Sequence, residues 1–289
     1  MSINQQSYAA TEKFLTRKSF IEMDALGRAA SILDGGKGRV LLGPFDRIHS
    51  PWLAMQEIVI QEDDGVILLK GTIDGKPALV ISIESAFQGG SMGEVSGAKI
   101  AASLELILAE HTKGRETRPV ILFESGGVRL QEANLGLAVI AEIHSAIVAL
   151  RNKIPVVGVI AGMVGCFGGM SLAASLCSYL IMTRQARLGM NGPEVIEQEA
   201  GIEELDSSDR SLIWSLIGGE QRVAIGQADV LVEDDADEIA AAVRRSFNNG
   251  VVSQPRSARV DEYLAKLNEY DPARAADPIA LRAAWKKGD

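Results

Sequence analysis

The chain has 289 residues, enough for one large domain or two small ones, and a chain of roughly 300 residues can bury about 75% of its unfolded surface. Its 29 Lys and Arg face 38 Asp and Glu, a net charge of −9 with a pI near 5.0, which argues against a general nucleic-acid binder. Two cysteines, Cys166 and Cys177, cannot form a disulfide framework or a four-thiolate zinc site, and they predict a reducing, cytoplasmic compartment.

Met1–Lys18 is polar, with no charged leader followed by an apolar core. A helix-like stretch, Phe20–Leu33, ends at Asp34-Gly35-Gly36. Glu57–Ile60 and Val66–Thr72 read as strands, Asp74-Gly75 as a hairpin turn and Pro77–Glu84 as a third strand. Ser91–His111 follows as a helix with Ile100, Leu104, Ile107 and Leu108 on one face. Pro119–Phe123 and Ile154–Ile160 read as buried strands, with the helix Ala133–Leu150 between them. The apolar run Ile154–Cys177 holds five glycines and breaks in its middle, so it is expected to be strand, loop (Gly165–Gly169) and helix (Met170–Cys177), not a membrane span. Both cysteines are placed on that helical stretch, eleven residues apart. Ser178–Thr183 and Val230–Val232 are further strands, and Asp235–Phe247 and Ser257–Tyr270 further helices. Strands alternating with helices of this length predict right-handed crossovers and a largely parallel sheet. One α/β domain with a helical tail is expected.

Three glycine-bearing turns, each between a strand and a helix, carry the chemical signal. Glu124-Ser125-Gly126-Gly127-Val128-Arg129-Leu130-Gln131-Glu132 places two glycines after a buried strand. Adjacent glycines can expose consecutive N–H groups as a nest for an oxyanion, or simply make a tight turn. In Gly162–Met170, Gly168 and Gly169 would sit near a helix N-terminus, where free N–H groups favour negative charge. Close helix–sheet packing through small residues accounts for the same pattern. Phe87-Gln88-Gly89-Gly90-Ser91-Met92-Gly93-Glu94 is the third turn. All three would lie on the carboxyl edge of a parallel sheet, where such folds bind ligands.

Conventional catalytic side chains are scarce. The histidines are His49, His111 and His144. His144 lies mid-helix among apolar residues and reads as a packing or interface histidine, and His111 as a helix-terminal cation. Cys166, beside a helix N-terminus, is either a stabilised thiolate or a small core thiol, and the core is the simpler account. No His-Glu-x-x-His pattern exists, nor a Walker or Rossmann loop. Backbone donors remain.

Together these residues resemble the crotonase superfamily and, within it, the carboxyltransferase β subunits. Glu124–Glu132 resembles that family's Asp-Ser-Gly-Gly-Ala-Arg-x-Gln-Glu block, and Phe87–Gly93 the Gly-Ser-Met-Gly block before it. Gly168-Gly169 matches the second glycine pair, which in the family forms an oxyanion hole for an acyl thioester. The resemblance covers about residues 63–234, with a helical extension over about 235–289. It implies a single 1–289 unit with a ClpP/crotonase spiral of β-β-α units. One branch, the acetyl-CoA carboxylase β subunits, carries a four-cysteine zinc ribbon; Met1–Pro51 has no cysteine, so no structural metal is expected. Pro44-Phe45-Asp46-Arg47 and Gly189–Glu197 instead resemble the β subunits of biotin-independent malonate decarboxylases.

That resemblance implies a lyase subunit that binds no cofactor itself. Its malonyl substrate would ride on the phosphopantetheine or dephospho-CoA type arm of an acyl carrier protein. The implied partners are a homologous carboxyltransferase-like γ (gamma) subunit, the carrier protein and an acyl-carrier transferase, with neither nucleic acid nor membrane. The implied catalytic residues are Gly126, Gly127, Gly168 and Gly169, and the substrate-binding residues Gly90, Ser91, Ser125, Val128, Arg129, Cys166 and Phe167. The two Ala- and Gly-rich helices Ala133–Leu150 and Met170–Cys177 would sit in an obligate hetero-oligomer. A biotin-dependent carboxyltransferase β subunit would carry the same motifs. A non-catalytic scaffold would not require both glycine pairs, and a hydratase would place a Glu near Cys166–Met170, where there is none.

Overall fold

The computed structural model describes residues 16–57, 64–132, 134–269 and 277–286. Seven strands form one sheet whose spatial order equals the chain order: β1 (Gly38–Leu42), β2 (Val66–Ile73), β3 (Lys76–Ile83), β4 (Arg118–Phe123), β5 (Val157–Ile160), β6 (Tyr179–Thr183) and β7 (Val230–Val232). The first three pair antiparallel, β2 and β3 through the Asp74-Gly75 hairpin, and β3 to β7 pair parallel.

The parallel strands read as unbroken apolar runs because both faces are covered. Along β3, Leu79, Ile81 and Ile83 enter one core while Ala78 and Val80 enter the other. The first core lies under α2 (Glu94–His111), α3 (Asn134–Arg151) and α4 (Gly168–Leu176). The second lies under α1 (Ala25–Ile32) and α8 (Ala236–Asn248). Burying each such Ile or Val side chain stabilises the fold by roughly 1.5–3 kcal/mol. Between them run α5 (Pro193–Ala200), α6 (Arg210–Ile217) and α7 (Gly219–Ala224); α9 (Val260–Asn268) and α10 (Pro278–Lys286) follow.

A second row of pairing crosses the carboxyl ends of the parallel strands. Single parallel bridges join Met92 to Val128, Ser125 to Cys166 and Cys166 to Leu188. Each repeat is therefore a sheet strand, a one-residue second strand and a helix, the expected β-β-α spiral. The glycine turns are these second strands.

Several expected bounds shift. The helix expected from Phe20 starts at Ala25, because Asp24 caps it by accepting the Gly27 N–H at 2.6 Å. The helix expected from Ser91 starts at Glu94, and the one expected from Ser257 starts at Val260. Gly168 and Gly169 belong to the first turn of α4, and Cys166 precedes that helix, so the two cysteines do not share it. Glu57 ends a 3-10 turn, and the rest of the strand expected over Glu57–Ile60 lies outside the described residues, as does Tyr270. By length and composition alone α3 is apolar enough to cross a membrane, at mean hydropathy 1.4, but Ile140, Ile143, Ile147 and Leu150 are buried against the sheet and its neighbours.

Candidate active site

The three turns converge and bind one another through their backbones. The Gly126 N–H donates to Gly89 O (2.9 Å), the Met92 N–H to Gly127 O (2.8 Å) and the Arg129 N–H to Met92 O (2.8 Å). The Ser125 N–H donates to Gly165 O, and the Phe167 N–H to Ser125 O, each at 2.9 Å. Gly127 and Gly168 meet at the centre with positive φ values of 111° and 58°. A Cβ on Gly168 would lie 3.2 Å from Gly127 Cα, so both positions require glycine for shape and Gly168 for space as well.

This network decides which donors remain. The Gly168 N–H is engaged by Met190 O at 2.8 Å and the Gly126 N–H by Gly89 O, so neither is a free oxyanion donor as expected. The Gly127 N–H leans on Ser125 Oγ at a long 3.2 Å. The N–H groups of Val128 and Gly169 donate to no acceptor among the described residues. Gly169 is at the first turn of α4, where intrahelical partners are lacking and the helix dipole adds positive potential. Two free donors on adjoining turns can hold one oxyanion.

Most of the expected substrate-contacting side chains are internal. Arg129 is 3% exposed and ties the turns together: it donates to Glu132 (2.9 Å) and Ser91 O (2.9 Å), with its guanidinium over the Phe87 ring. Glu132 in turn accepts the Glu94 N–H at 2.6 Å. Ser125, Cys166 and Phe167 are buried, as is Gly90, whose added Cβ would collide with Glu124 O. Burial pushes the Cys166 thiol well up and the Cys177 thiol to about 12, so the core-thiol account of Cys166 holds. Ser91 and Val128 are half-buried.

Two features have no counterpart in the sequence reading. Glu124 lies against the buried guanidinium of Arg28 and accepts the Val164 N–H at 3.2 Å, linking α1 and both main turns. Beside α4 opens a cavity of about 660 Å³, whose wall includes Ser171, Leu172, Gly189 and Met190. His144 also lines it and bonds Gly169 O through Nε2 at 2.8 Å. Among the described residues no cluster of three His, Cys, Asp or Glu could hold a metal ion.

Residues 52–286 match the family model described as the Carboxyl transferase domain. Over 230 residues the chain is 44% identical to malonyl-S-ACP:biotin-protein carboxyltransferase MADC of Malonomonas rubra, covering 76% of this chain and 72% of that protein. It superposes with a TM-score of 0.89 on a chain of a Pseudomonas malonate decarboxylase hetero-tetramer in complex with malonate. The identity there is 55%, with 95% of this chain and 99% of that chain covered. A Pseudomonas MdcD-MdcE hetero-dimer gives a TM-score of 0.75 at 51% identity, over 88% of this chain and 98% of that one.

Proposed function

Because the chain belongs to the carboxyl transferase family, we propose that it is the β-type subunit of a malonate decarboxylase. With a homologous γ-type partner, it converts a malonyl thioester on an acyl carrier protein into the acetyl thioester and CO₂. The arm carrying the acyl group is of the phosphopantetheine or dephospho-CoA type, loaded by an acyl-carrier transferase. The whole chain acts as one carboxyltransferase unit, and its free, buried thiols support a cytoplasmic setting.

One observation carries this reading: the unengaged N–H groups of Val128 and Gly169 on turns that touch at Gly127 and Gly168. When the bond between the carboxyl carbon and the α-carbon breaks, its electron pair moves onto the thioester oxygen and CO₂ departs. The enolate oxygen gains charge that the thioester oxygen lacked, so donors aimed at it lower the barrier selectively. Protonation of the α-carbon completes the acetyl group. Donors already bonded to one another's loops do not reorganise as the charge forms.

Gly169 also sets helix spacing, since an added Cβ would lie 2.6 Å from Ile140 Cγ2 on α3. Gly169→Ala should therefore push α4 aside and displace the donor, lowering kcat per folded complex at least about tenfold; full loss of one such donor costs about 10²–10³. Adding Ile140→Ala reopens the space, and kcat should recover. A lower Tm with unchanged kcat in Gly169→Ala would mean that the glycine serves packing alone. The Malonomonas relative is named for carboxyl transfer to a biotin protein, which favours a second reading in which CO₂ passes to biotin; activity blocked by avidin would select it.

A further inference from the structure

The cavity beside α4 carries an unbalanced charge. Its apolar wall includes Leu172, Leu176, Met190, Leu267 and Trp285, and among the described residues its charged side chains are Arg222 and Arg256, beside His144 and with no carboxylate. Arg256 is neutralised by Asp229 and donates to Ser175 O (3.1 Å) and Cys177 O (2.6 Å). Arg222 has no such counter-charge. Its Nε donates to Leu188 O at 2.8 Å and its Nη1 to the Gln227 side-chain oxygen, both neutral acceptors. Among the described residues no carboxylate pairs with it, and its Nη2 has no acceptor. Burial holds its pKa near 10, as expected of a cation short of compensation.

A half-buried guanidinium without an anion carries part of a desolvation cost, and an anion from outside would offset it. One guanidinium with one free nitrogen suits a single carboxylate. A phosphate dianion would leave net negative charge against apolar walls. The volume of about 660 Å³ lies within the range of small-molecule sites. We propose that this cavity binds a short apolar carboxylate, with its body on Leu172, Leu176, Leu267 and Trp285 and its charge on Arg222.

Its position ties it to the turns. Leu188, which accepts from Arg222, begins a strap in which the Gly189 N–H donates to Cys166 O (3.2 Å) and Met190 O holds the Gly168 N–H. The carboxylate has two sources: the malonyl group itself, which rests on the function proposed above, or a free organic acid, which does not.

Calorimetric titration of the full chain with its partner subunit, using butyrate, malonate and inorganic phosphate, tests this site. Butyrate, which carries a single carboxylate, should bind, and the dianions malonate and phosphate should not. Arg222→Gln should weaken binding at least tenfold and Arg222→Lys less, with Tm recorded for each. Leu267→Asp, at a half-exposed wall position, supplies an internal carboxylate and should abolish binding with Arg222 untouched. No butyrate binding to the wild type, undiminished binding in Arg222→Gln with Leu267→Asp, or preferred binding of either dianion would each overturn the proposal. Turnover separates the sources. Butyrate competing with the malonyl carrier, together with a raised KM and little-changed kcat in Arg222→Gln, marks the acyl carboxylate; non-competitive butyrate marks a free acid. Loss of kcat recovery in the Gly169 pair would defeat the oxyanion reading alone, leaving calorimetry to decide this one.

Discussion

Glu124 occupies the first position of the Glu-Ser-Gly-Gly turn, where the resembling family block has Asp, and the extra methylene has a use. Its side chain reaches past the turn to Arg28 on α1 and to the Val164 N–H on the second loop. Gly162 leaves the room, since an added Cβ there would collide with the carboxylate. Arg28 in turn donates to Phe20 O and Ile21 O at 2.9 Å each, so one ion pair clamps the N-terminal segment to both turns. With Arg28 6% and Glu124 3% exposed, removing one charge strands the other in the interior. Glu124→Gln is expected to cost about 3–5 kcal/mol of unfolding free energy, read by denaturant titration. The paired change Arg28→Met with Glu124→Gln should recover most of it. A single variant as stable as the wild type would remove the clamp from the account.

Asp34, between α1 and β1, acts on three elements at once. It accepts the N–H groups of Asp74 (3.1 Å) and Gly75 (2.9 Å) from the hairpin and pairs with Arg244 of α8 at 3.3 Å. Those hydrogen bonds, the Gly75 N–H foremost, hold its carboxyl pKa at about 2, below the ordinary 3.8. A depressed carboxyl contributes stability above its unfolded pKa and loses it as pH falls through the folded value. Between pH 5 and pH 2, Asp34→Asn should therefore lose less Tm than the wild type; equal losses would count against the tie. The elements themselves are unequally legible in the sequence. β4 to β6 announce themselves because both faces are buried and, after Arg118 and Tyr179 at the starts of β4 and β6, their residues are apolar or small. β1 escapes the pattern: its residues are largely exposed, Arg39 interrupts it, and it lies at the sheet edge. α5 to α7 and α10 are short and carry no long apolar period. The glycine pairs stand out as motifs, yet the free donors do not, because Gly89 O and Met190 O, distant in sequence, decide which N–H groups remain. The Arg28–Glu124 and Arg222 environments are equally hidden, since each joins residues far apart along the chain.

At the scale of the whole molecule, the segment from Gly43 to Glu57 is built to present side chains outward. Asp46 accepts the Gly43 N–H at 2.6 Å, and Arg47 in the left-handed region closes the 3-10 turn Pro44–Asp46. Lys99 donates to Gly43 O at 3.3 Å, Ser50 bonds Glu94 at the start of α2, and Leu53 is buried. Pinned at these points, the segment leaves Phe45 95% exposed and Met55 76% exposed, with Trp52 half in solvent. Phe45 belongs to a stretch that carries the resemblance but adds almost nothing to this chain's own core. Large exposed apolar side chains on a fixed turn mark an interaction surface, and the proposed function requires a partner subunit. A stable hetero-oligomer of this kind buries more than roughly 2,000 Å², and exposed apolar anchors contribute disproportionately to such interfaces. Phe45→Asp with Met55→Asp should weaken association with the γ-type partner at least about tenfold, equivalent to about 1.4 kcal/mol. Because both side chains lie outside the core, the isolated chain should keep its Tm. Sedimentation of the co-expressed pair measures the first quantity and thermal unfolding the second. Unchanged association would move the interface elsewhere, and the exposed Leu137 and Val148 on α3 offer the next surface to alter.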